Sequence, residues 1–332
     1  MGDDFAPPEK ADAPFDWRKA LSDRAQWLVV FIVGVSVAGA LGRYHWVLEL
    51  FSHYVAWYAL GAAILATFFW IIRSRRWATG TTLLAVVLAF APLSWYFPAR
   101  NPNVGGVRCR VLLANVLTSN RNHQAVLDLI AAEDPDVVCL QEINDAWENA
   151  LEPLRETYPT YHAVPRNDNF GIALYSRVTP GLPAAAFDGK MGVPALTAPI
   201  EMDGAQAQLL NIHALPPLRA DMARRRSAQL EGARAWLDAQ TLPAIIIGDL
   251  NMTMYSPVYR AWAKNLKAKN ARQGYGPLGS WPLFVPIMRL PLDQALVTPD
   301  IEVLDCRLGP DIGSDHLPLI VDVRLPVGAA GN

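Results

Sequence analysis

Three long apolar stretches near the start of this 332-residue chain constrain its fold more than any other feature. They cover residues 27–47, 54–72 and 77–97, and each has roughly the 20 residues that an α-helix needs to cross the core of a bilayer. The second stretch contains no charged residue, whereas helices on the surface of soluble domains normally have a polar face. We therefore predict three transmembrane helices, with three buried helices of a soluble domain as the alternative.

Aromatic and basic residues around these stretches support membrane insertion and indicate its direction. Aromatic side chains near the predicted ends, as in an interfacial belt, are Trp27, Trp46, Trp57, Trp70, Trp77, Trp95 and Tyr96. Basic residues flanking the stretches are Lys10, Arg18, Lys19 and Arg24 before the first, Arg43 after it, and Arg73, Arg75 and Arg76 before the third. Because basic loops stay in the cytoplasm, residues 1–26 are predicted to be cytoplasmic and everything after residue 97 extracytoplasmic.

The remainder of the chain has the size and composition of one large domain. Residues 98–106 are rich in Pro, Asn and Gly and are predicted to be a linker, residues 107–326 the domain, and residues 327–332 a flexible tail. From residue 101 onward, 20 Lys and Arg stand against 24 Asp and Glu. A domain that binds nucleic acid through phosphate contacts usually has a basic excess, so binding of nucleic acid is possible but not favoured.

The three cysteines, Cys109, Cys139 and Cys306, lie in apolar runs without zinc-ligand spacing and are expected to be buried free thiols.

Apolar runs of strand length alternate with amphipathic helices in this domain. The predicted strands are 107–116, 136–141, 171–176, 207–213, 244–248, 292–297 and 319–323, and the predicted helices are 122–132, 145–157 and 220–239. This order favours an α/β fold in which two packed sheets are flanked by helices.

Polar and ionisable side chains stand at the ends of several predicted core strands. They are Asn115, Gln141, Glu142, Asn211, His213, Asp249, Asn251, Asp293, Asp315 and His316. Any one of them alone is most simply a turn residue. Together they supply carboxylates, amides and two histidines, which is the inventory of an acid–base site with a hard cation.

Several motifs resemble the endonuclease/exonuclease/phosphatase superfamily, which has the DNase I-like fold. In family order they are Asn115, Gln141-Glu142, the run NFGIALYSR from Asn169, NIH at 211–213, GDLN at 248–251 and SDH at 314–316. The resemblance implies a four-layer αββα sandwich with the active site at one edge of the paired sheets. With the three N-terminal helices and the Trp281-Pro282 loop, the chain is similar to membrane-anchored bacterial members. Its expected location is then the bacterial inner membrane, as a multi-pass protein with a periplasmic catalytic domain.

The resemblance also implies a role for each motif residue. Glu142 is expected to bind Mg²⁺ (or Mn²⁺), with Asn115 and Asp315 beside the metal. Asp249 and Asn251 are expected to orient the attacking water and hold a phosphate oxygen, with Asn115 and Asn169 also binding the substrate phosphate. His316 is the expected catalytic histidine, with its tautomer fixed by Asp293, and His213 is the expected second histidine, able to stabilise charge or protonate the leaving group.

One departure from the family pattern concerns the metal. Many DNA-repair members carry an acidic residue two positions after the first Asn, where this chain has Leu117, so the number of metal ions stays open. Outside the motifs, His45 and His53 are expected at the membrane interface without a function. The run at 224–229 (RRRSAQ) is expected to be a solvated helix face, with a phosphate-binding patch as the alternative.

Three functions compete at this point. The first is a membrane-anchored Mg²⁺-dependent phosphoesterase, a phosphodiesterase or phosphatase, that hydrolyses a small or lipid-linked phosphate ester, with lipid head groups among its possible partners. The second is an extracytoplasmic nuclease of the same fold, and the third is a catalytically inactive membrane scaffold. The complete set of motif residues argues against the scaffold, whereas the substrate stays open because one fold supports many.

Overall fold

A computed structural model of the chain describes residues 16–98, 105–181, 183–187 and 192–327. Apolar helices come first, and they are followed by two β-sheets packed face to face. One cluster of buried side chains lies between the sheets. A second lies between the first sheet and its outer helices, and a third lies between the second sheet and its outer helices. The predicted αββα sandwich, preceded by three apolar helices, is confirmed.

The N-terminal part contains four α-helices: α1 (Trp17–Ala40), α2 (Trp46–Leu50), α3 (Val55–Ile71) and α4 (Arg75–Leu93). Short 3₁₀ turns at Phe51–Tyr54 and Ser94–Tyr96 extend α2 into α3 and lengthen α4. Three helical segments are long and apolar enough to cross a membrane, namely Trp17–Ala40, Trp46–Ile71 and Arg75–Tyr96.

The first helical segment differs from its predicted bounds of 27–47. It begins at Trp17, where the Asp16 side chain accepts hydrogen bonds from the first backbone N–H groups, and it ends at Ala40. The chain then turns back closely on itself at Gly42, where a Cβ atom would lie 2.6 Å from the Cα of Glu49. Only glycine permits this close approach. Because the chain reverses at Gly42, residues 46–50 belong to the second segment and not to the first.

The two sheets contain six strands each. The strands are β1 (Gly106–Asn115), β2 (Val137–Gln141), β3 (Thr160–Val164), β4 (Ile172–Ser176), β5 (Ala184–Phe187), β6 (Ala195–Met202), β7 (Ala205–Ile212), β8 (Ala244–Asp249), β9 (Lys269–Asn270), β10 (Asp293–Val297), β11 (Glu302–Leu308) and β12 (Leu319–Pro326). The first sheet has the order β11-β12-β1-β2-β4-β3 and the second β5-β6-β7-β8-β10-β9. All seven predicted strands are present, and the three cysteines are buried free thiols.

Five helices follow in the sandwich: α5 (His123–Glu133), α6 (Asp145–Ala150), α7 (Leu154–Thr157), α8 (Ala220–Asp238) and α9 (Pro257–Asn265). The single helix predicted at 145–157 is two helices, because Pro153 cannot continue α6. Helices α8 and α9 pack on the second sheet.

The apolar helices dock on the sandwich through one end only. Val55, Ala91 and Trp95 pack against the same cluster as α8 and α9, and the Trp95 carbonyl accepts a 2.9 Å hydrogen bond from the Gly274 N–H. The opposite end carries Arg73 and Arg75, which are exposed. The basic turn and the sandwich therefore lie at opposite ends of the apolar helices.

Candidate active site

Strands of both sheets end at one edge of the sandwich, and this edge brings the motif residues together. In the first sheet, β1 and β2 are parallel, and Asn115 lies beside Gln141. In the second, β8 and β10 are antiparallel, and Asp249 lies directly opposite Asp293. The chain after β7 runs alongside Asp249, whose carbonyl accepts a 2.9 Å hydrogen bond from the N–H of Ala214.

Gln141 joins the two sheets at this edge. Its side-chain amide donates to the Asn211 side chain at 3.0 Å and to the Ile212 carbonyl at 2.8 Å. Its carbonyl oxygen accepts from the Asp249 N–H at 3.1 Å. This close approach explains the glycine of the GDLN motif, because a Cβ at Gly248 would lie 1.7 Å from the Ile212 carbonyl oxygen.

The Asp249 carboxylate lies between the two motif histidines. Its Oδ2 atom is 3.6 Å from Nε2 of His213 and 3.8 Å from Nε2 of His316, and all three side chains are buried. Burial raises the pKa of Asp249, but the electrostatic influence of the neighbouring His213 and His316 side chains outweighs burial. The net direction is a lowered pKa, so Asp249 is ionised at neutral pH.

The Asp293 carboxylate holds the ring of His316. Its Nδ1 atom lies 2.9 Å from Oδ2 of Asp293, so Nε2 faces Asp249. Burial lowers the pKa of His316, but the negative charges of Asp293, Asp249 and Asp315 together raise it to about 10. The imidazole is therefore a cation at neutral pH, with its Nε2–H directed into the site.

Asn251 braces Asp249. The Asn251 N–H donates to Oδ1 of Asp249 at 2.7 Å. Its side-chain amide donates to the Ala214 carbonyl at 2.8 Å and lies 3.4 Å from Oδ2 of Asp249. Both amide hydrogens thus face protein acceptors, and the expected contact of Asn251 with a phosphate oxygen stays a prediction.

Glu142 and Asn115 form the oxygen-rich side of the site. Glu142 has a φ of 64°, and its Oε1 accepts from the Asn115 amide at 2.9 Å. Thr118 adds two contacts, with its N–H on Oε2 of Glu142 at 3.3 Å and its hydroxyl on the Glu142 carbonyl at 3.0 Å. Thr118 was not expected from the sequence, since a Thr in a turn gives no signal of its own.

Asp315 completes the carboxylates at this edge. Its Oδ2 accepts from the Trp281 indole N–H at 2.9 Å, whereas its Oδ1 is buried without a hydrogen-bond partner among the described residues. Trp281 precedes a cis proline and lies with its ring 6.3 Å from that of His316. The Trp281-Pro282 loop, which was part of the family resemblance, therefore lies beside the motif residues.

The donor set fits a hard divalent cation that is held by few protein atoms. Glu142, Asn115 and Asp315 offer oxygen donors, and the unpartnered Oδ1 of Asp315 is a buried acceptor without a proton donor. Within the described ranges there is no group of three or more His, Cys, Asp or Glu side chains able to hold a metal. Carboxylate and amide oxygens are the ligands that hard divalent cations prefer, so these three residues are chemically suited to such an ion.

The expected phosphate contact of Asn169 is the least defined. Its side chain is exposed and its φ is 66°. The next residue, Phe170, places its ring 5.1 Å from that of His213. Asn169 therefore stands at the rim beside His213, and its contact with substrate stays a prediction.

Two residues outside the motifs are covered in a way that the sequence did not indicate. His53 is buried inside the protein, and its Nδ1 lies 3.0 Å from the hydroxyl of Thr253, two residues after Asn251. Its expected place at the membrane interface stays a prediction. Arg226, in the run expected to be a solvated helix face, is 1% exposed and ion-paired with Glu49. Both residues are covered because the apolar helices dock on the sandwich, which a pattern of local hydropathy cannot reveal.

Comparison with known proteins identifies the family of the chain. The sequence pattern of the Endonuclease/Exonuclease/phosphatase family matches residues 74–316. The chain belongs to this family. Members of the Endonuclease/Exonuclease/phosphatase family are typically hydrolases of phosphate ester bonds and generally use divalent metal ions.

Solved structures show the same fold at low sequence identity. Humanized TDP2 from D. rerio is 16% identical with a TM-score of 0.55, covering 65% of this chain and 99% of its own. The endonuclease/exonuclease/phosphatase from Beutenbergia cavernae DSM 12333 is 19% identical with a TM-score of 0.52, covering 66% and 72%. Truncated TDP2 from Caenorhabditis elegans is 15% identical with a TM-score of 0.52, covering 67% and 100%. No curated protein shows significant sequence similarity to the chain.

Proposed function

We propose that this family member is a membrane-anchored, Mg²⁺-dependent phosphoesterase that acts outside the cytoplasm on a small or lipid-linked phosphate ester. One observation carries the proposal: the ionised carboxylate of Asp249 faces the Nε2 atoms of His213 and His316. A carboxylate that orients a water, beside cationic imidazole, suits a reaction that needs an aligned nucleophile and charge stabilisation.

The side chains divide the work of hydrolysis. Asp249 accepts a hydrogen bond from the attacking water and directs the water oxygen at phosphorus. His316 donates its Nε2–H to a phosphate oxygen, and Asp293 keeps the ring protonated and oriented. As the water oxygen bonds to phosphorus, one proton of the water passes to the Asp249 carboxylate and one P–O ester bond breaks. His213 stabilises the departing oxygen or gives it a proton.

Glu142, Asn115 and Asp315 are the residues that would hold Mg²⁺, or Mn²⁺ in its place. When bound, the ion would neutralise negative charge on the phosphate. The oxygen donors of these three side chains support this choice over zinc, which favours imidazole and thiolate ligands.

The proposed membrane location rests on the three apolar helical segments and on the basic residues around them. The exposed Arg73 and Arg75 lie at the end of the helices away from the sandwich. A basic cytoplasmic turn would then leave the sandwich on the outer side, which in a bacterium is the periplasm.

Hydrolysis by the purified full-length protein tests the proposal. With Mg²⁺, the protein should hydrolyse lipid phosphodiesters or inositol phosphates, and single-stranded DNA is the comparison substrate. Asp249→Asn is the inactive control, and a preparation without divalent cations is the second. Hydrolysis of DNA alone would favour the nuclease, and hydrolysis of none would refute the proposal.

A further inference from the structure

A cavity of about 310 Å³ lies where the turn between the first two apolar segments meets the sandwich. One wall is the turn at 42–46, and the other is formed by the first two turns of α8 and by Val258 of α9. The buried ion pair of Glu49 with Arg226 lines the cavity between these walls. We call this space the junction cavity. Its volume is at the small end of the range of about 300–1,000 Å³ that is typical of ligand sites.

The junction cavity has an excess of positive charge. Its lining contains three arginines, Arg43, Arg224 and Arg226, and one carboxylate, that of Glu49. Glu49 is paired with Arg226, so these two charges cancel. Arg43 and Arg224 are exposed, and neither forms an ion pair with another described residue. Two guanidinium groups without a carboxylate partner, one from the anchor and one from the sandwich, therefore line the same cavity.

The turn orients Arg43 without neutralising it. The Arg43 guanidinium lies 4.5 Å from the centre of the Tyr44 ring and donates a hydrogen bond to the Tyr44 hydroxyl. An aromatic ring attracts a cation but leaves its charge in place. His45 supplies a further donor, because its Nδ1 accepts a 3.3 Å hydrogen bond from the Val47 N–H and its Nε2 therefore carries the proton of the neutral ring. A guanidinium and an imidazole N–H thus stand side by side on the turn, and both suit an anion.

The position of the turn indicates where such an anion comes from. The first apolar segment ends at Ala40 and the second begins at Trp46, so in a bilayer the turn lies at the level of the lipid head groups. Val37 and Leu41 lie four residues apart, on one face of the first segment, and are 53% and 44% exposed. This apolar flank ends two residues before Arg43. A molecule with acyl chains on the flank and a phosphate in the cavity would match both surfaces, whereas a soluble anion would use only the cavity.

We propose that the junction cavity binds the head group of an anionic phospholipid, with its phosphate held by Arg43 and Arg224 and its acyl chains along the apolar flank of the first segment. Guanidinium groups suit phosphate because they offer paired N–H donors. The site is separate from the candidate active site, since none of the motif residues lines it. The inference rests on the membrane location in the proposed function but not on the catalytic roles. A lipid bound there joins the anchor to the sandwich and stabilises their docked arrangement.

Equilibrium binding of lipid to the full-length protein in detergent micelles tests the inference. The probe is tritiated dioleoyl phosphatidylglycerol. Dioleoyl phosphatidylcholine is the matched lipid, which has the same phosphate but no net charge, and inorganic phosphate is the competitor without acyl chains. Divalent cations are removed with EDTA, so that the proposed hydrolysis does not consume the probe.

Wild type is compared with Arg43→Ala, Arg224→Ala and the double variant. Arg225→Ala is the control, because Arg225 neighbours Arg224 and is exposed but lies outside the cavity lining. The melting temperature of each protein is measured with and without phosphatidylglycerol. Without lipid it should be the same in all of them, since exposed side chains contribute little to stability.

The two arginines should each contribute to lipid affinity. Each single substitution should raise the Kd for phosphatidylglycerol about fivefold, and the double variant about 25-fold, as for independent cationic groups at a membrane surface. Arg225→Ala should stay within twofold of wild type. Phosphatidylcholine should bind wild type about tenfold more weakly, and a tenfold excess of inorganic phosphate should not displace the lipid, because phosphate lacks the apolar contacts. Phosphatidylglycerol should raise the melting temperature of wild type but not that of the double variant.

Three results would overturn the inference. Equal Kd values for wild type, Arg43→Ala and Arg224→Ala would show that the cavity does not bind the lipid. An equal loss of affinity in Arg225→Ala would show a general attraction to basic surface, and displacement of the lipid by inorganic phosphate would show a site for the free anion.

A separate assay distinguishes this inference from the proposed function. Hydrolysis of bis(p-nitrophenyl) phosphate with Mg²⁺ should be within twofold of wild type in every arginine variant. If lipid bound as expected but no phosphate ester was hydrolysed, the lipid site would stand and the proposed catalysis would fail. If hydrolysis was normal but neither arginine affected lipid affinity, the lipid site would fail and the proposed catalysis would stand.

Discussion

Glu49 of α2 and Arg226 of α8 form an ion pair in which each side chain is 1% exposed. Glu49 also accepts a 2.7 Å hydrogen bond from the Ser256 hydroxyl, and Arg226 lies 3.4 Å from the carbonyl oxygen of Asn251. The pair thus connects the apolar helices to both ends of the segment 251–256. The segment that follows Asp249 is therefore fixed to the apolar helices.

Removing one partner of this pair should be severe. Glu49→Ala leaves the Arg226 guanidinium buried and uncompensated, which typically costs about 3–5 kcal/mol of stability. We expect a lower melting temperature and a reduced turnover rate. The double variant Glu49→Leu with Arg226→Met should melt higher than Glu49→Ala, because it leaves no buried charge.

A surface pair on the same helix supplies the control. Glu231 binds Arg234 on the exposed side of α8, and Glu231→Ala should leave melting and turnover nearly unchanged. If Glu49→Ala melted and turned over substrate like Glu231→Ala, the buried ion pair would contribute nothing measurable to stability or to activity.

Activity should require a divalent cation. Glu142→Gln removes the charge that the proposed metal site depends on and should reduce turnover by orders of magnitude with little loss of fold. Mg²⁺ binding measured by calorimetry should weaken in parallel. Glu152→Gln, at an exposed position of the same region, is the control, and full activity of wild type in excess EDTA would contradict this prediction.

Asp249, His316 and Asp293 should show graded losses of turnover. Asp249→Asn and His316→Ala should each reduce kcat by about 10³-fold or more, since acid–base and positioning contributions are about 10²–10⁴-fold. Asp293→Asn should cost less. Because Asp293 acts through His316 at 2.9 Å, the double variant should be little worse than His316→Ala alone. If the double variant lost kcat by the product of the two single reductions, Asp293 and His316 would act independently and this prediction would be wrong.

The protonation of His316 gives a second measure of that pairing. Asp293 is the largest of the influences that raise the pKa of His316 to about 10, and burial opposes them. Asp293→Asn removes the charge while the burial remains, so the pKa of His316 should fall. An NMR titration of the metal-free protein follows this shift directly. Asp300→Asn, at an exposed position, should leave the titration unchanged, and an equal midpoint in wild type and Asp293→Asn would exclude the proposed coupling.

Reporter fusions test the orientation in the membrane. A reporter after Asn332 should be active only outside the cytoplasm, whereas one inserted after Ser74, in the basic turn between α3 and α4, should be active inside. The reason is that basic loops stay in the cytoplasm, and this turn carries Arg73, Arg75 and Arg76. The reverse pattern would invert the topology.

The central strands could be predicted from the sequence because both of their faces are buried. The seven predicted strands, which include β1, β2 and β8, all lie inside the sheets. The missed strands β3, β5, β9 and β11 are all edge strands. In β3 and β11 most residues are only half-buried, which weakens the apolar pattern, and β9 has only two residues. The missed β6 lies inside its sheet but contains Pro199, which argues against a strand.

The residues in and around the site also divide into those that the sequence predicts and those that it does not. Asp249, Asp293 and His316 follow from motifs, because their chemistry requires those residue types at strand ends. Glu49 could not be found in this way, since its partner Arg226 is distant in sequence and the contact exists only after the helices dock. A single acidic residue beside an apolar helix gives no indication of what it will meet.

The double contact of Gln141 across the sheets has a consequence for how the site can vary. Glu142 follows directly on one sheet, while Asp249 ends β8 on the other, and the Gln141 amide spans the gap between them. One neutral side chain thus bridges the separation between Glu142, the proposed metal ligand, and Asp249, the proposed water-orienting carboxylate. Shortening it, as in Gln141→Asn, would change the width of the cleft without touching any residue that contacts substrate, so the range of accepted esters could be retuned from beneath the active site.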